Sequence, residues 1–449
     1  MAMKYFGTDG IRGKANAELT ADLSYRTGRA LASVLHKTER NKPRVLIGRD
    51  TRLSGGMLEG ALTAGLCAGG ADVVHLGVLP TPAVAYLTVR DAEADAGIVL
   101  SASHNPFDDN GIKIFGGDGY KLTDAQEQEI ERLIDAPPAE TCTGAALGAL
   151  LPYAGGDPAE LYERHIAECA LCRLDGLRVL VDCANGAAAR TAETILRLLG
   201  ADARLMYAAP DGVNINEGCG STHIGALQKA VTEGKFPVGV AFDGDADRCL
   251  MVDERGALVD GDRILGILAA DMQHRGILRG GVVGTILTNL GLRDYLGERG
   301  IPLSATDVGD RYVLEEMRRA GHNIGGEQSG HVILSDFATT GDGELTAVRM
   351  LGVLRQSGRR MSELHADIAQ YPQVTINVPM PNDRKRLVSS LPEVETLRTR
   401  IADAFAGHGR VVIRPSGTEP KVRVMVEGND PEKVQVLAEE AAAVIEKLR

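Results

Sequence analysis

Four short runs of this chain hold side chains suited to phosphate chemistry. In Leu100-Ser101-Ala102-Ser103-His104-Asn105-Pro106 a hydroxyl, Ser103, follows an apolar strand, and Pro106 stops regular structure from continuing. A serine so placed stands at the mouth of a parallel sheet, where α/β proteins hold their ligands. A serine hydroxyl is a weak nucleophile until a base or a metal-bound phosphate assists it, and His104 and Lys113 are candidates for that help. Asp243-Gly244-Asp245-Ala246-Asp247-Arg248 follows a second apolar strand and presents a carboxylate at every second position. Hard oxygen ligands at this spacing suit Mg²⁺, and Mg²⁺ suits phosphate. An EF-hand opens in a similar way, but Arg248 stands where its glycine belongs and the flanks are strands, so that reading is rejected.

The third run is Gly325-Gly326-Glu327-Gln328-Ser329-Gly330-His331. Glu327 and Ser329, two residues apart on a strand edge, face the same way and can read two neighbouring sugar hydroxyls. His331 is open to two readings, a further contact or a satisfied core histidine. The fourth run, Arg414-Pro415-Ser416-Gly417-Thr418-Glu419-Pro420, offers successive backbone N–H groups and two hydroxyls, and Arg423 adds a second charge. Together they form a phosphate cradle. Near the start, Gly7-Thr8-Asp9-Gly10-Ile11-Arg12-Gly13 is a glycine-rich loop whose Arg12 suits an oxyanion, although a plain N-terminal turn fits it equally well.

The elements that must position these runs follow one grammar, repeated three times: apolar strand, glycine-punctuated turn, amphipathic helix, apolar strand. It appears in Arg44 to Leu76, Arg178 to Tyr207 and Val282 to Ala305. Each helix fits the crossover of a βαβ unit, so each segment reads as a mostly parallel sheet, and the three as related mixed α/β sheet domains of one diverged triplication. The last segment differs. Strands near Thr375–Pro379, Arg410–Arg414 and Val422–Glu427, with helices around 394–405 and 431–447, predict an α+β unit. The expected domains are residues 1–150, 151–256, 257–370 and 371–449, with a hinge near Gln370.

At 449 residues the chain exceeds one ordinary core. A net charge of −12 disfavours nucleic acid as a partner, so an anionic ligand must be met by local cations. The amino terminus lacks a signal-peptide core and no stretch reaches the ~18 apolar residues of a membrane span, which reads as a cytoplasmic protein with no membrane partner. Seven scattered cysteines, one Cys169-x-x-Cys172 pair among them in an expected helix from Pro158 to Leu171, read as reduced thiols.

With its four runs in this order, the chain resembles the α-D-phosphohexomutase superfamily along its whole length. Within it, the Gly7–Gly13 loop, Val308-Gly309-Asp310-Arg311-Tyr312-Val313 and Gly326–His331 resemble the branch that acts on glucosamine phosphates. The resemblance implies a heart-shaped, four-domain isomerase with its active site in a central cleft. Ser103 would be a phosphoserine, and Mg²⁺ would be held by Asp243, Asp245, Asp247 and that phosphate. Arg248 would stabilise the transferring group, and Lys113, Arg12 and His104 would lie near Ser103, one of them relaying a proton. Glu327, Ser329 and His331 would hold the sugar, and Arg414, Ser416, Gly417, Thr418 and Arg423 the phosphate not being transferred. The implied reaction interconverts glucosamine 6-phosphate and glucosamine 1-phosphate, supplying UDP-N-acetylglucosamine and cell-wall precursor. Glucosamine 1,6-bisphosphate, or another hexose 1,6-bisphosphate, would be the activator. The rivals are a glucose- or mannose-phosphate mutase, a non-catalytic sugar-phosphate binder, and a phosphatase using Asp182 or Asp243. The sequence leaves open the oligomeric state, a homodimer included, and whether a kinase or autophosphorylation first charges Ser103.

Overall fold

The computed structural model describes residues 3–7, 9–36, 42–136, 142–388, 391–416 and 420–448. Thr8, Gly417, Thr418 and Glu419 of the candidate loops therefore lie outside the described residues. The chain forms two compact units, one made of residues 1–283 and 309–365, the other of 284–308 and 366–449.

In the first unit, the sheet nearest the amino terminus has a parallel centre. Arg44–Arg49 lies between Asp72–Val78 and Ala96–Leu100, parallel to both. All five residues of Ala96–Leu100 are buried, which is why this strand reads as an unbroken apolar run rather than an alternating one. Helices Ala21–Leu35, Gly55–Ala68 and Asp124–Ile134 flank the sheet. The last begins with a capping box, in which Thr123 and Gln126 satisfy each other's backbone N–H groups. The next sheet repeats the plan: Arg178–Asp182 is parallel to Asp202–Met206 and Val238–Phe242. In the third, Val282 and Val283 run parallel to Ile324 and Gly325.

These sheets are mixed rather than mostly parallel, and the departure falls at the same place in each. Ala96–Leu100 is followed by antiparallel Asp109–Gly116, Val238–Phe242 by antiparallel Cys249–Asp253, and Ile324–Gly326 by antiparallel Val332–Leu334. The cause is loop length. A parallel return needs a crossover of a dozen or more residues, whereas the Ser103, Asp243 and Glu327 loops are too short for one. Each of these three loops thus joins a parallel strand to its antiparallel neighbour.

The second unit contains a three-stranded antiparallel sheet, with Lys421–Gly428 between Gln373–Pro379 and Gly409–Pro415. Helices Pro392–Ala404 and Pro431–Lys447 pack on it through Val394, Leu397, Ile401, Val434, Ala438 and Ile445. One buried carboxylate is among the contacts that join helix Leu290–Glu298 to this unit. Glu427 accepts the Leu290 N–H at 2.9 Å, the Gln373 amide at 2.9 Å and Arg410 Nε at 2.7 Å.

Helix Pro158–Glu168 ends before the expected Leu171, with Cys169 as its C-cap. Leu171 turns away to pack on Gly352, and Leu174 is fully buried. All seven cysteines are free thiols. No helix among the described residues is long and apolar enough to cross a membrane.

Candidate active site

Ser103 has φ 51°, a left-handed conformation that a non-glycine residue holds only under constraint. The constraint comes from both sides of the residue. Its N–H donates to Ser101 Oγ at 2.8 Å, and its carbonyl accepts from Arg52 Nη2 and Asn216 Nδ2, each at 2.9 Å. Arg52 is the hub of the loop. Its side chain is fully buried, pairs with Asp50 at 2.8 Å and also donates to the carbonyls of Asn105, Pro106 and Asp109. Asp50 in turn accepts the Ser101 hydroxyl at 2.7 Å. The result is a rigid turn that presents Ser103 Oγ to Asp243 Oδ2 at 2.5 Å, with His104 Nδ1 3.2 Å away.

The aspartate loop is gripped through its backbone. Three successive carbonyls, of Gly244, Asp245 and Ala246, accept N–H groups from Ala187, Thr81 and Gly343 at 2.8, 2.9 and 3.0 Å. Each donor stands at the start of a different helix, Ala188–Leu198, Thr81–Arg90 and Gly343–Ser357. Helix N-termini have unpaired N–H groups and carry partial positive charge, so they suit a loop rich in carboxylates. Gly244 must lack a side chain here, because a Cβ would stand 2.6 Å from the Ser103 carbonyl oxygen. That close approach is what brings hydroxyl and carboxylates together.

Oxygens of Asp243, Asp245 and Asp247 lie within 4.8 Å of one another, all three residues buried. Asp245 Oδ1 and Asp247 Oδ1 are buried and accept no hydrogen bond from the protein. Buried lone pairs facing a common point require a cation or its water, so the donor set fits a hard divalent ion. Burial, with Asp247 and Asp245 beside it, pushes the Asp243 carboxyl well above its ordinary range. For Asp245 burial acts in the same direction, but Lys113 and the Thr81 hydroxyl overcome it and hold the carboxyl low.

Arg12 and Lys113 come from neighbouring strands. Arg12 pairs with Gly111, two residues from Lys113, so both project from one face of the sheet. Lys113 Nζ lies 2.8 Å from Asp245, 3.3 Å from Asp247 and 3.3 Å from Asp9. Burial disfavours its charge, yet these carboxylates outweigh that and keep it a firmly charged ammonium. His104 has the opposite fate, since burial, Arg248 and Arg12 lower it to about 4, and the imidazole is neutral at pH 7. Arg248 stays charged against burial because Asp243 and Asp247 face it.

The sugar loop lies beside the aspartate loop. Arg248 bridges His331, and Cys249 N–H bonds the Gly330 carbonyl at 3.0 Å. Within the loop, Glu327 N–H closes the turn on the His331 carbonyl at 2.9 Å. Glu327 Oε1 accepts the Gly309 N–H at 2.9 Å, and Ser329 Oγ lies 3.5 Å from Oε2. His331 is buried, and neither ring nitrogen has a hydrogen-bond partner in the protein.

Ser103, His104, Lys113, Arg12, Arg248, the three aspartates and Glu327, Ser329 and His331 all lie in the first unit. The cradle belongs to the second. There Arg414 and Arg423 are directly opposite across the antiparallel pair, so two cations share one face. Ser416 is buried; its N–H bonds the Lys421 carbonyl at 2.9 Å, and its own carbonyl accepts Lys385 Nζ at 2.8 Å. Asp182, the alternative phosphatase nucleophile, spends its two oxygens on the backbone N–H groups of Ala184 and Gly220, and burial raises it to about 6.

Models of the phosphoglucomutase/phosphomannomutase family match the chain four times: domain I over residues 3–140, domain II over 160–256, domain III over 260–371 and the C-terminal domain over 376–444. A solved protein of that family from Burkholderia thailandensis superposes with a TM-score of 0.81 at 25% identity, covering 98% of this chain and 97% of its own. Aspergillus fumigatus N-acetylphosphoglucosamine mutase, solved with GlcNAc-6P and magnesium, shares the fold at a TM-score of 0.71 and 19% identity, covering 99% of this chain and 96% of its own. Fold and loops thus define an α-D-phosphohexomutase. Phosphoglucosamine mutase of Streptococcus equi subsp. equi (strain 4047) is 47% identical over 447 residues, 98% of each chain, and that of Streptococcus suis (strain 05ZYH33) is 48% identical over the same span. The chain belongs to the phosphoglucosamine mutase family of that superfamily.

Proposed function

We propose that this protein interconverts glucosamine 6-phosphate and glucosamine 1-phosphate through phospho-Ser103 and a glucosamine 1,6-bisphosphate intermediate. The observation that carries the reading is the Ser103 hydroxyl held on Asp243 beside two further buried aspartates with unsatisfied oxygens. Asp243, Asp245, Asp247 and the serine phosphate would hold Mg²⁺, which when bound supplies charge neutralisation at the transferring phosphoryl group.

The sugar's O1 hydroxyl attacks the phosphorus of phospho-Ser103, the P–Oγ bond breaks, and the hydroxyl proton leaves for a neighbouring base. In the second half Ser103 Oγ attacks the phosphorus on O6, the O6–phosphorus bond breaks, and the proton returns to O6. His104 is that base in this reading. Its Nδ1 faces Ser103 Oγ, whereas Lys113 is already committed to three carboxylates. Arg248 and Arg12 stabilise the transferring charge. Arg414, Ser416, Gly417, Thr418 and Arg423 bind the phosphate that stays on the sugar. Glu327 and Ser329 bond two adjacent hydroxyls, with His331 beside them, and accept the ring in either orientation. The phosphosugar is the partner the residues demand; a homodimer, a priming kinase or autophosphorylation, and a cytoplasmic setting complete the reading taken from the sequence.

The test is ³¹P NMR with Mg²⁺ and a trace of hexose 1,6-bisphosphate, offering glucosamine, glucose and mannose 6-phosphates in parallel. Fastest conversion of the glucosamine substrate is expected. Faster turnover of glucose or mannose phosphate would keep the mechanism and change the substrate, and no turnover of any would leave a binding protein.

A further inference from the structure

Three charged side chains not assigned above, Asp9, Lys121 and Asp310, link residues of the site through the first unit. Lys121 Nζ contacts Asp9 Oδ1 at 2.5 Å and also Asp310 Oδ2. Asp9 in turn contacts Arg12 and Lys113, and Lys113 contacts Asp245 and Asp247. At the other end the Asp310 carboxylate lies 3.8 Å from His331 Nε2. Lys121 is fixed from its own side, because it returns along the strand Asp109–Gly116 and bridges Phe115, two residues from Lys113. Asp310 is the first residue of helix Asp310–Ala320, and its N-cap, Gly309, is the residue whose N–H holds Glu327. Gly309 has φ 138°, a region open to glycine and rarely to other residues, so the turn that offers its N–H to Glu327 depends on glycine here.

We propose that Asp9, Lys121 and Asp310 form a positioning strap that sets two groups at once: the Lys113 and Arg12 cations near Ser103, and the Glu327 carboxylate of the sugar loop. None of the three touches the reacting atoms in this account. They act by fixing the distance between the cations that meet the phosphoryl group and the carboxylate that meets the sugar. A displacement of about 1 Å in such an arrangement costs about a hundredfold in rate, while the contacts that bind substrate remain. Burial works against the charge on Lys121, but Asp310 and Asp9 outweigh it and raise the ammonium above its ordinary range.

The alternative is a purely structural tie, and the molecule supplies its own control. Arg311, one residue further on, pairs with Glu127 at 2.6 Å and with Asp124, and touches none of the assigned residues. The experiment compares Lys121→Met, Lys121→Arg, Asp9→Asn, Asp310→Asn, Arg311→Met and the double variant Lys121→Met with Asp9→Asn against the parent enzyme in Mg²⁺. It measures kcat and KM for glucosamine 6-phosphate, the rate at which hexose 1,6-bisphosphate phosphorylates Ser103 by intact mass, and the thermal midpoint. The proposal rests on the mutase reading, and turnover by the parent enzyme tests that reading separately. The expected result is a kcat reduced by about 10- to 100-fold in Lys121→Met and Asp310→Asn with KM within about threefold, and partial recovery in Lys121→Arg. Arg311→Met should lower the midpoint and leave kcat and KM alone. Lys121→Met combined with Asp9→Asn should be little worse than the worse single variant, as for members of one network. Parent-like kinetics in Asp310→Asn, or a loss in Lys121→Met confined to its midpoint, would reduce the strap to a structural tie and overturn the proposal. So would failure of Lys121→Met to fold while Lys121→Arg and Asp310→Asn keep full kcat.

Discussion

Ser103 Oγ donates a 2.5 Å hydrogen bond to Asp243 Oδ2, across the junction of two loops that belong to different sheets. The bond is possible only because Gly244 lets the Ser103 carbonyl approach the aspartate loop. Ser103→Ala should therefore remove the phosphoenzyme altogether. Intact mass after incubation with hexose 1,6-bisphosphate should show no added phosphoryl group, and turnover should fall by at least about a thousandfold. Near-normal turnover would end the phosphoserine mechanism.

Arg52 should matter as much to the loop as Ser103 does to the chemistry. Arg52→Met leaves Asp50 as a buried carboxylate without its cation, and leaves four carbonyls short of a donor. Removing one member of a buried ion pair costs about 3–5 kcal/mol. Arg52→Lys keeps the charge but not the planar fork, so it should recover only part of the loss. Urea unfolding midpoints of the three proteins check this, and a midpoint unchanged in Arg52→Met would show that Asn216 alone holds the turn.

The contrast between these two residues marks how far the sequence could be read. Ser103, the three aspartates and Glu327 announce themselves because their neighbours along the chain are unusual. Arg52 acts through residues 51 to 57 positions away, and only the packing of strand Arg44–Arg49 against Ala96–Leu100 brings them into reach. The local signal was the charged pair Asp50 and Arg52 at the end of an apolar strand. Thr81 and Lys121 carried no such mark, and Asp9 and Asp310 stood inside the Gly7–Gly13 and Val308–Val313 runs with no role assigned to them. The antiparallel return after each functional loop was hidden for a similar reason. Periodicity identifies a strand and says nothing of its direction, whereas loop length does, and the short connections at Ser103, Asp243 and Glu327 held that information. Helix bounds such as 431–447 were legible because Asp430 and Pro431 form a cap that acts within one turn.

Arg414 and Arg423 stand opposite each other across an antiparallel pair and put two cations on one face, which the proposed function assigns to the phosphate that stays on the sugar. A charge-assisted hydrogen bond contributes about 1.5–3 kcal/mol, which corresponds to about 10- to 100-fold in affinity. Arg414→Ala should raise KM by that factor. It should also reduce the protection that a fixed concentration of inorganic phosphate or substrate gives against thermal unfolding. Unchanged KM together with unchanged protection would remove the cradle from the binding site.

Asp342 supplies a prediction about pH. It caps helix Gly343–Ser357 by accepting the Leu345 N–H at 2.9 Å, and it accepts the Tyr162 hydroxyl at 2.9 Å. Burial, only partly offset by these donors, raises its carboxyl to about 7. An unfolded chain would titrate it near the ordinary value of about 3.9. Between those two values the native state binds more protons than the unfolded state, so stability falls as pH rises through the window. The contribution is fully present below about pH 4, decreases toward pH 7, and is absent above it. Asn in place of Asp keeps an oxygen for both donors and removes the titration. Asp342→Asn should therefore gain stability relative to the parent as pH moves from about 5 to about 8, by an amount on the order of 2–4 kcal/mol at the top of the window. Neighbouring Glu344 is also buried, with both oxygens on the Thr191 hydroxyl, and its carboxyl is raised as well by burial and by Asp342. Glu344→Gln should thus shift the same way. Denaturant midpoints of parent and variants at pH 5 and pH 8 measure the difference directly, and a gap that stays constant across that range would mean Asp342 is ionised in the folded protein throughout.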